Sequence, residues 1–229
     1  GAFASFMICG HTNKEKDTVL FIDPGFPVHK FQTKILGLKM ESFDIYEYRG
    51  EKLREKLESI FSTGKIHSVL YSNPNNPTWV CLTDEELKII GELANKYDVI
   101  ILEDLAYFGM DFRKDYSHPG VAPFQPTVGK YTDNYILMLS TSKAFSYAGE
   151  RCAVLGISNK LAERRYPDLK EFCGQEIFAR GIIFGALHPL SSGTSHSAQY
   201  AVAGVLKAVN DGTYNYRDDV LKYKKKAKM

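Results

Sequence analysis

Short apolar runs alternate along the chain with longer segments whose apolar residues recur every three or four positions. Thr18–Asp23 is an apolar run closed by Pro24-Gly25, which is typical of a buried strand that ends in a turn. Ser42–Tyr48 alternates between apolar and polar residues, so we expect a strand with one face in solvent. Four more apolar runs are interpreted as strands: Ile66–Tyr71, Asp98–Glu103, Tyr135–Leu139 and Cys152–Ile157.

The segments between these runs carry the signals of helices. Glu51–Phe61 has one apolar stripe, formed by Leu53, Leu57, Ile60 and Phe61. Another helix is predicted to begin at Thr83, because the side chains of Thr83 and Glu86 can each satisfy the other's free backbone N–H. Two further helices are predicted near the end of the chain: Gln199–Asn210 and Arg217–Lys228. Repeated alternation of strand and helix predicts an α/β fold, in which a mostly parallel sheet lies between two layers of helices.

The composition of the 229 residues excludes several classes of protein. The chain is 44% hydrophobic and 24% charged, as soluble globular proteins are, and it has no apolar run as long as a membrane span. Five lysines fall in Lys222–Met229 and the rest is mildly acidic, so we expect no nucleic-acid partner and no membrane partner. The four cysteines are scattered, which favours a reducing compartment and a cytoplasmic location.

Polar groups follow three of the predicted strands at their carboxyl ends. These loops are Tyr71–Thr78, Glu103–Tyr107 and Ser140–Arg151. Ligands of α/β proteins bind beyond the carboxyl ends of parallel strands. We therefore expect the amides, carboxylate, phenol, hydroxyls, lysine and arginine of these loops to converge at one edge of the sheet.

The third loop has the groups needed to hold a phosphorylated aldehyde. A lysine in a cleft, such as Lys143, can lose its proton and form an imine with an aldehyde. Ser140 precedes it by three residues and Arg151 follows it by eight, so both can bind a phosphate, the arginine through two parallel hydrogen bonds.

The other two loops have the groups needed to bind a pyridine ring. A buried carboxylate at Asp104 can keep a pyridine nitrogen protonated, which makes the ring an electron sink. Tyr107 and Asn76 can hydrogen-bond a ring hydroxyl, and Phe26 can stack on the ring face. Together with the third loop, these roles describe a site for pyridoxal 5′-phosphate (PLP).

The same loops resemble the motifs of a known family. Asn73-Pro-Asn-Asn-Pro-Thr78, Glu103-Asp-Leu-Ala-Tyr107 and Ser140-Thr-Ser-Lys143 with Arg151 are similar, in order and spacing, to class I/II aminotransferases of PLP fold type I. The resemblance covers the chain from Gly1 to about Gly212. It implies that the fold is the large PLP-binding domain of that fold type. It also implies a cofactor site formed by Ala2, Phe3, Phe26, Asn76, Asp104, Tyr107, Ser140, Ser142, Lys143 and Arg151.

The resemblance also assigns a role to each of these residues. Lys143 is implied to be the catalytic Schiff-base lysine, and Asp104 the partner of the pyridine nitrogen. The ring hydroxyl is implied to contact Tyr107 and Asn76, and the ring face to contact Phe26. The phosphate is implied to bind Ser140, Ser142, Arg151 and the backbone N–H groups of Ala2 and Phe3 at a helix N-terminus. The substrates would be an amino acid and a 2-oxo acid, and the protein would be a homodimer.

The chain departs from the family pattern in three respects. Trp79 stands where a glycine usually follows Asn-Pro-Thr. Relative to the family pattern, we expect this chain to lack an N-terminal arm and the small C-terminal domain with the arginine that usually grips the substrate carboxylate. We therefore expect residues 1–212 to form the PLP-binding domain and residues 213–229 to begin a helix that leads to the absent domain.

Alternative interpretations stay open at this point. The Asn-Pro-rich segment can be a plain turn, Asp104 can cap a following segment, and Lys143 can be one of many solvated lysines. The six histidines, His29 among them, lack the spacing of metal ligands, so we interpret them as structural or surface residues and expect no metal site. The same scaffold can also serve another PLP reaction, such as that of a C–S β-lyase or a decarboxylase, or a non-catalytic ligand sensor.

Overall fold

The computed structural model describes residues 1–116 and 118–227, and within them a single mixed sheet organises the chain. Its strand order is β2-β1-β3-β4-β5-β6. The first five strands are parallel, and β6 pairs antiparallel with β5 at one edge. The strands are β1 (Thr18–Asp23), β2 (Lys39–Asp44), β3 (Ile66–Ser72), β4 (Ile100–Leu105), β5 (Tyr135–Ser140) and β6 (Ala153–Ile157).

The helices precede, connect and follow the strands. They are α1 (Ala2–Cys9), α2 (Pro27–Ile35), α3 (Lys52–Phe61), α4 (Asp84–Tyr97), α5 (Thr141–Ala144), α6 (Asn159–Glu163), α7 (Pro167–Cys173), α8 (Phe178–Arg180), α9 (His188–Ser191), α10 (His196–Asn210) and α11 (Tyr216–Ala227). A π-helical segment joins α8 to α9, and short 3₁₀ helices begin at Ile45, Val128 and Ala148.

The sheet has a hydrophobic core on each face, which confirms the predicted three-layer α/β/α architecture. On one face, α3 and α4 pack their apolar stripes, including Leu57 and Ile90, against the sheet. On the other face, Phe6 of α1 and Phe178 of α8 belong to a second cluster of buried residues. Each fully buried side chain of this size stabilises the fold by about 1.5–3 kcal/mol relative to an exposed one. The central strands β1, β3 and β4, which lie between the two cores, are therefore buried on both faces.

The boundaries of several elements differ from the predicted ones. The prediction of a strand over Ser42–Tyr48 was wrong in its position, because β2 pairs with β1 from Lys39 and ends at Asp44. The Asp44 side chain accepts a hydrogen bond from the Tyr46 N–H, which starts a 3₁₀ turn and ends the strand. Some of the helices at the start of the chain and between β6 and α10 were not predicted from the sequence, because many of them are short. The last residue of the predicted Arg217–Lys228 helix, Lys228, lies outside the described part of the chain.

The register of the sheet brings the predicted loops to one edge. Ser72 lies beside Asp104, Asp104 lies beside Met138, and Ser140 lies beside Ala153. Because β1 to β5 run in the same direction, the loops that follow them leave from this edge. No helix in the part of the chain that the structure describes has the length and apolar character needed to cross a membrane.

Candidate active site

A cleft of about 390 Å³ opens at the carboxyl edge of the sheet. Nine of the ten predicted cofactor residues line it: Ala2, Phe26, Asn76, Asp104, Tyr107, Ser140, Ser142, Lys143 and Arg151. Phe3 does not line the cleft, although its backbone lies in the first turn of α1. The lysine and the carboxylate that the sequence pointed to therefore share one cavity.

The asparagines of the loop after β3 have two roles: two of them hold the loop in place, and one lines the cleft. Asn73 is buried, donates to the Glu103 carboxylate at 3.1 Å and accepts the Leu82 N–H at 3.2 Å. Asn75 is also buried, and its side chain donates to the Pro24 carbonyl at 2.6 Å. With these two amides holding the loop, Asn76 is left at the cleft. The Asn-Pro-rich segment is a turn, which was one of the interpretations left open by the sequence. This turn also places the Asn76 side chain at the cleft.

Asp104 is held from two sides at the end of β4. Its Oδ1 accepts the Ala106 N–H at 2.9 Å, and its Oδ2 accepts a hydrogen bond from His29 Nε2 at 3.3 Å. The carboxylate is mostly buried, with 14% of its side chain exposed. These bonds fix the direction of a negative charge that faces the cleft.

His29 is a site residue that the sequence reasoning missed. We interpreted it as structural or surface, whereas it lines the cleft and contacts Asp104. The signal was present in its position, because Pro27 begins α2 and places His29 in the first turn, next to the cleft residue Phe26. The ring edges of Phe6 and Phe26 pack against the imidazole, with centroids 6.2 and 5.5 Å away.

Lys143 is presented by a very short helix that begins directly after β5. Ser140 is the N-cap of this helix, and its hydroxyl accepts the Ser142 N–H at 3.2 Å. Lys143 belongs to the last turn, where its ammonium lies over the Tyr107 ring, 5.6 Å from the centroid. The side chain is exposed to the cleft, so its amine is accessible to a ligand.

Hydrogen-bond donors for an anion gather at one end of the cleft. The first N–H groups of α1 have no partner within the helix, and α1 starts at the cleft residue Ala2. The hydroxyls of Ser140 and Ser142 are bonded to each other at 2.9 Å. Arg151 adds a guanidinium that donates to the Ala148 carbonyl at 2.6 Å and keeps further N–H groups.

The donor set of the cleft fits PLP. The hydroxyls, guanidinium and helix N-terminus suit a phosphate, and the carboxylate of Asp104 suits a protonated pyridine nitrogen. Phe26 is 42% exposed, so its ring face is available for stacking. Among residues 1–116 and 118–227, no three histidine, cysteine or acidic side chains gather in a way that could hold a metal ion.

Comparison with known proteins agrees with the cofactor that the cleft residues indicate. The family model described as aminotransferase class I and II matches residues 2–228. Glutamate-pyruvate aminotransferase AlaC of Escherichia coli K12 is 30% identical over 147 residues, which cover 63% of this chain and 34% of AlaC. Cystathionine beta-lyase of Corynebacterium glutamicum is 25% identical over 174 residues, which cover 76% of this chain and 44% of the lyase. The chain thus spans less than half of the length of these relatives.

A solved structure supports the fold. The crystal structure of Bna3p from Saccharomyces cerevisiae superposes with a TM-score of 0.71 at 18% identity, and the match covers all of this chain and 51% of Bna3p. The family model matches almost every residue of the chain, and membership of this family indicates pyridoxal phosphate as the cofactor. The chain belongs to the class I and II aminotransferase family.

Proposed function

We propose that this chain is the PLP-binding domain of an aminotransferase that moves an amino group between an amino acid and a 2-oxo acid, with Lys143 carrying the cofactor as a Schiff base. The observation that supports this most strongly is the shared cleft of Lys143 and Asp104, with anion donors at one end. A solvated lysine elsewhere on the surface would not face a mostly buried carboxylate.

The residues at the anion end bind and orient the cofactor. Ser140, Ser142 and Arg151 hold the phosphate together with the N–H groups of α1, whose dipole adds positive potential. Arg151 can offer two parallel N–H groups to phosphate oxygens. This grip fixes one end of the cofactor, so its ring lies deeper in the cleft.

At the other end, the residues set the charge and position of the ring. Asp104 keeps a proton on the ring nitrogen, and His29 holds the carboxylate in the required direction. Asn76 and Tyr107 hydrogen-bond the ring hydroxyl, and Phe26 covers one ring face. When bound, PLP supplies an aldehyde and an electron sink. The Lys143 amine would act as the base: once the amino group of the substrate has replaced it on the cofactor aldehyde, it would take the proton from Cα of the amino acid.

Reductive trapping tests the role of Lys143. We expect borohydride to fix the cofactor to the chain in the presence of PLP, with the mass increase on the peptide that contains Lys143. Lys143→Ala abolishes the adduct, whereas Lys207→Ala, an exposed lysine on α10, keeps it. An adduct that survives Lys143→Ala contradicts the assignment.

A β-lyase is the second candidate function. The lyase of Corynebacterium glutamicum aligns with more of this chain than AlaC does. The two reactions leave different products, because transamination converts PLP to pyridoxamine phosphate, whereas elimination releases ammonia and pyruvate and keeps PLP. We expect pyridoxamine phosphate in assays of the full-length protein with amino acids. Release of ammonia and pyruvate without it would favour the lyase.

We further propose a cytoplasmic homodimer. All four cysteines are free thiols, which suits a reducing compartment. Helix α2 exposes an apolar stripe of Val28, Phe31 and Ile35 to solvent, and a stripe of this kind suits contact with another subunit.

A further inference from the structure

A second cleft, of about 420 Å³, adjoins the candidate active site. It shares Tyr107, Ser142 and Lys143 with the first cleft. The rest of its lining consists of Trp79, Met110, Ser146 and Tyr223. A molecule that reacts at Lys143 can therefore extend into this second cleft.

Trp79 has a backbone conformation that a bulky residue rarely adopts. Its φ is +61°, in the left-handed region that favours glycine. The loop holds it there, because the Trp79 N–H donates to the Asn75 carbonyl at 2.9 Å and the Asn75 N–H donates to the Val80 carbonyl at 2.8 Å. Since such strain persists mainly where the surroundings require it, a large ring at this position points to a function of the ring itself.

The Trp79 ring is fixed between two other aromatic rings. It stacks on Phe112 with centroids 5.9 Å apart and planes 18° apart. It meets Tyr107 edge to face, with centroids 5.7 Å apart. Tyr107 in turn lies under the Lys143 ammonium. The three rings form one continuous aromatic wall that ends at the reacting amine.

The charge of this cleft is low. Among its described lining residues, Lys143 is the one with a formal charge, and in the proposed function the cofactor occupies it. Two lysines line an adjoining groove, which shares Ser146 and Tyr223 with the second cleft. There Lys222 is paired with Asp219 at 2.6 Å, and Lys226 lies over the Tyr223 ring, 5.8 Å from its centroid. An acidic side chain would therefore meet no further cation among the described residues that line the second cleft.

We infer that the second cleft receives the side chain of the amino donor, that this side chain is aromatic or aliphatic, and that Trp79 is a specificity-determining residue. This inference rests on the proposed aminotransferase function. The apolar side chain packs against Trp79, Tyr107 and Met110, while its amino and carboxylate groups stay near Lys143.

Binding of two matched acids tests the inference without turnover. The probes are 3-phenylpropanoate and succinate, which carry a carboxylate but no amine to transfer. Trp79 is the single tryptophan of the chain, so its fluorescence reports on this wall alone. We expect 3-phenylpropanoate to change the emission in a saturable way, and succinate at the same concentration to leave it unchanged. A saturable response to succinate that equals the response to 3-phenylpropanoate overturns the inference, as does no response to either probe.

Substitutions then test the role of the ring. Trp79→Gly suits the backbone conformation but removes the wall, and we expect it to weaken 3-phenylpropanoate binding, measured by calorimetry, by about tenfold or more. Trp79→Phe keeps an aromatic face, and we expect its affinity to stay within about threefold of that of the parent chain. This change is smaller than the loss of affinity that follows when one hydrophobic group is removed. Equal affinity in Trp79→Gly and the parent overturns the assignment of Trp79.

The two proposals fail in different ways. A borohydride adduct on Lys143 with no selectivity between the probes contradicts the specificity inference and leaves the aminotransferase intact. Absence of the adduct contradicts the proposed function, and the same titrations still measure whether the cleft prefers the apolar acid.

Discussion

Two adjacent acids, Glu103 and Asp104, have opposite environments because successive residues of a strand face opposite sides of the sheet. Asp104 faces the cleft, whereas Glu103 is fully buried and accepts the Val128 N–H at 2.9 Å and the Asn73 amide at 3.1 Å. Burial raises the pKa of Glu103 from 4.5 to about 7, although both hydrogen bonds oppose this shift. Glu103 thus supports the site from the opposite side of the sheet, through its hydrogen bonds to Asn73 and Val128.

This raised pKa predicts a pH-dependent stability. Between pH 4.5 and about 7, the folded chain holds a proton on Glu103 that the unfolded chain has released. The contribution of Glu103 to the free energy of unfolding is therefore complete below pH 4.5 and is lost as the pH rises through about 7. Urea unfolding of the parent and of Glu103→Gln at several pH values measures it, and we expect a flatter pH profile in the variant. Identical profiles would contradict the raised pKa.

At the scale of elements, the start of α4 joins a cap to an ion pair. The capping box of Thr83 and Glu86 predicted from the sequence is confirmed. Glu86 also forms a two-point pair with Arg49, at 2.6 and 2.8 Å, and accepts the Gly50 N–H. Burial alone would raise the pKa of Glu86, but the hydrogen bonds from Arg49, Gly50 and Thr83 outweigh burial and lower it. One carboxylate therefore ties α4 to the segment before α3.

Removal of the cap tests its contribution. Thr83→Ala deletes the hydroxyl that accepts the Glu86 N–H, and we expect the free energy of unfolding to fall by about 1 kcal/mol. Thr83→Ser keeps the hydroxyl and should stay close to the parent. Chemical denaturation measures both, and an unchanged midpoint in Thr83→Ala would show that the cap is dispensable.

Helix packing supplies a second test at this scale. A Cβ added to Gly91 of α4 would lie 2.6 Å from the Tyr131 Cβ, whereas one added to Gly204 of α10 would meet nothing within 4 Å. Gly91→Ala is expected to destabilise the fold by about 1–3 kcal/mol through overpacking. Gly204→Ala should stabilise it by about 0.5–1 kcal/mol, because alanine has the higher helix propensity. Equal effects at the two positions in thermal unfolding would contradict the close approach of α4 to Tyr131.

At the scale of the whole molecule, the parallel direction of β1 to β5 is what assembles the site. The loop after β3 contributes one predicted group and the loop after β5 contributes four, and no single element contains enough of them to bind a cofactor. The central strands β1, β3 and β4 are mostly buried, so the fold stability and the assembly of the site depend on the same sheet.

The proposed homodimer is tested at this scale. Ile35→Asp places a charge in the exposed apolar stripe of α2, and we expect the molar mass measured by light scattering to shift from dimer towards monomer. Phe172→Asp, at an exposed apolar residue on a different helix, α7, should leave the mass unchanged. A dimer that persists in Ile35→Asp at the lowest measurable concentration would exclude α2 from the interface.

Local signals in the amino-acid sequence were sufficient for much of this description. Apolar runs predicted five of the six strands close to their positions, since a strand buried on both faces is apolar along its length. The three loop motifs predicted seven residues of the cleft, because their order along the chain reflects the order of strand ends in a parallel sheet.

Tertiary structure alone decided the rest, because burial and pairing depend on residues far apart in the chain. His29 is 75 positions away from Asp104 in the sequence, and only the packing of α2 in the folded chain brings the two side chains into contact. The start of β2 depended on its pairing with β1, and the aromatic wall of Trp79 formed only when the loops that follow β3 and β4 met. Periodicity reports which face of an element is apolar, but the identity of the neighbour across that face is a property of the folded chain.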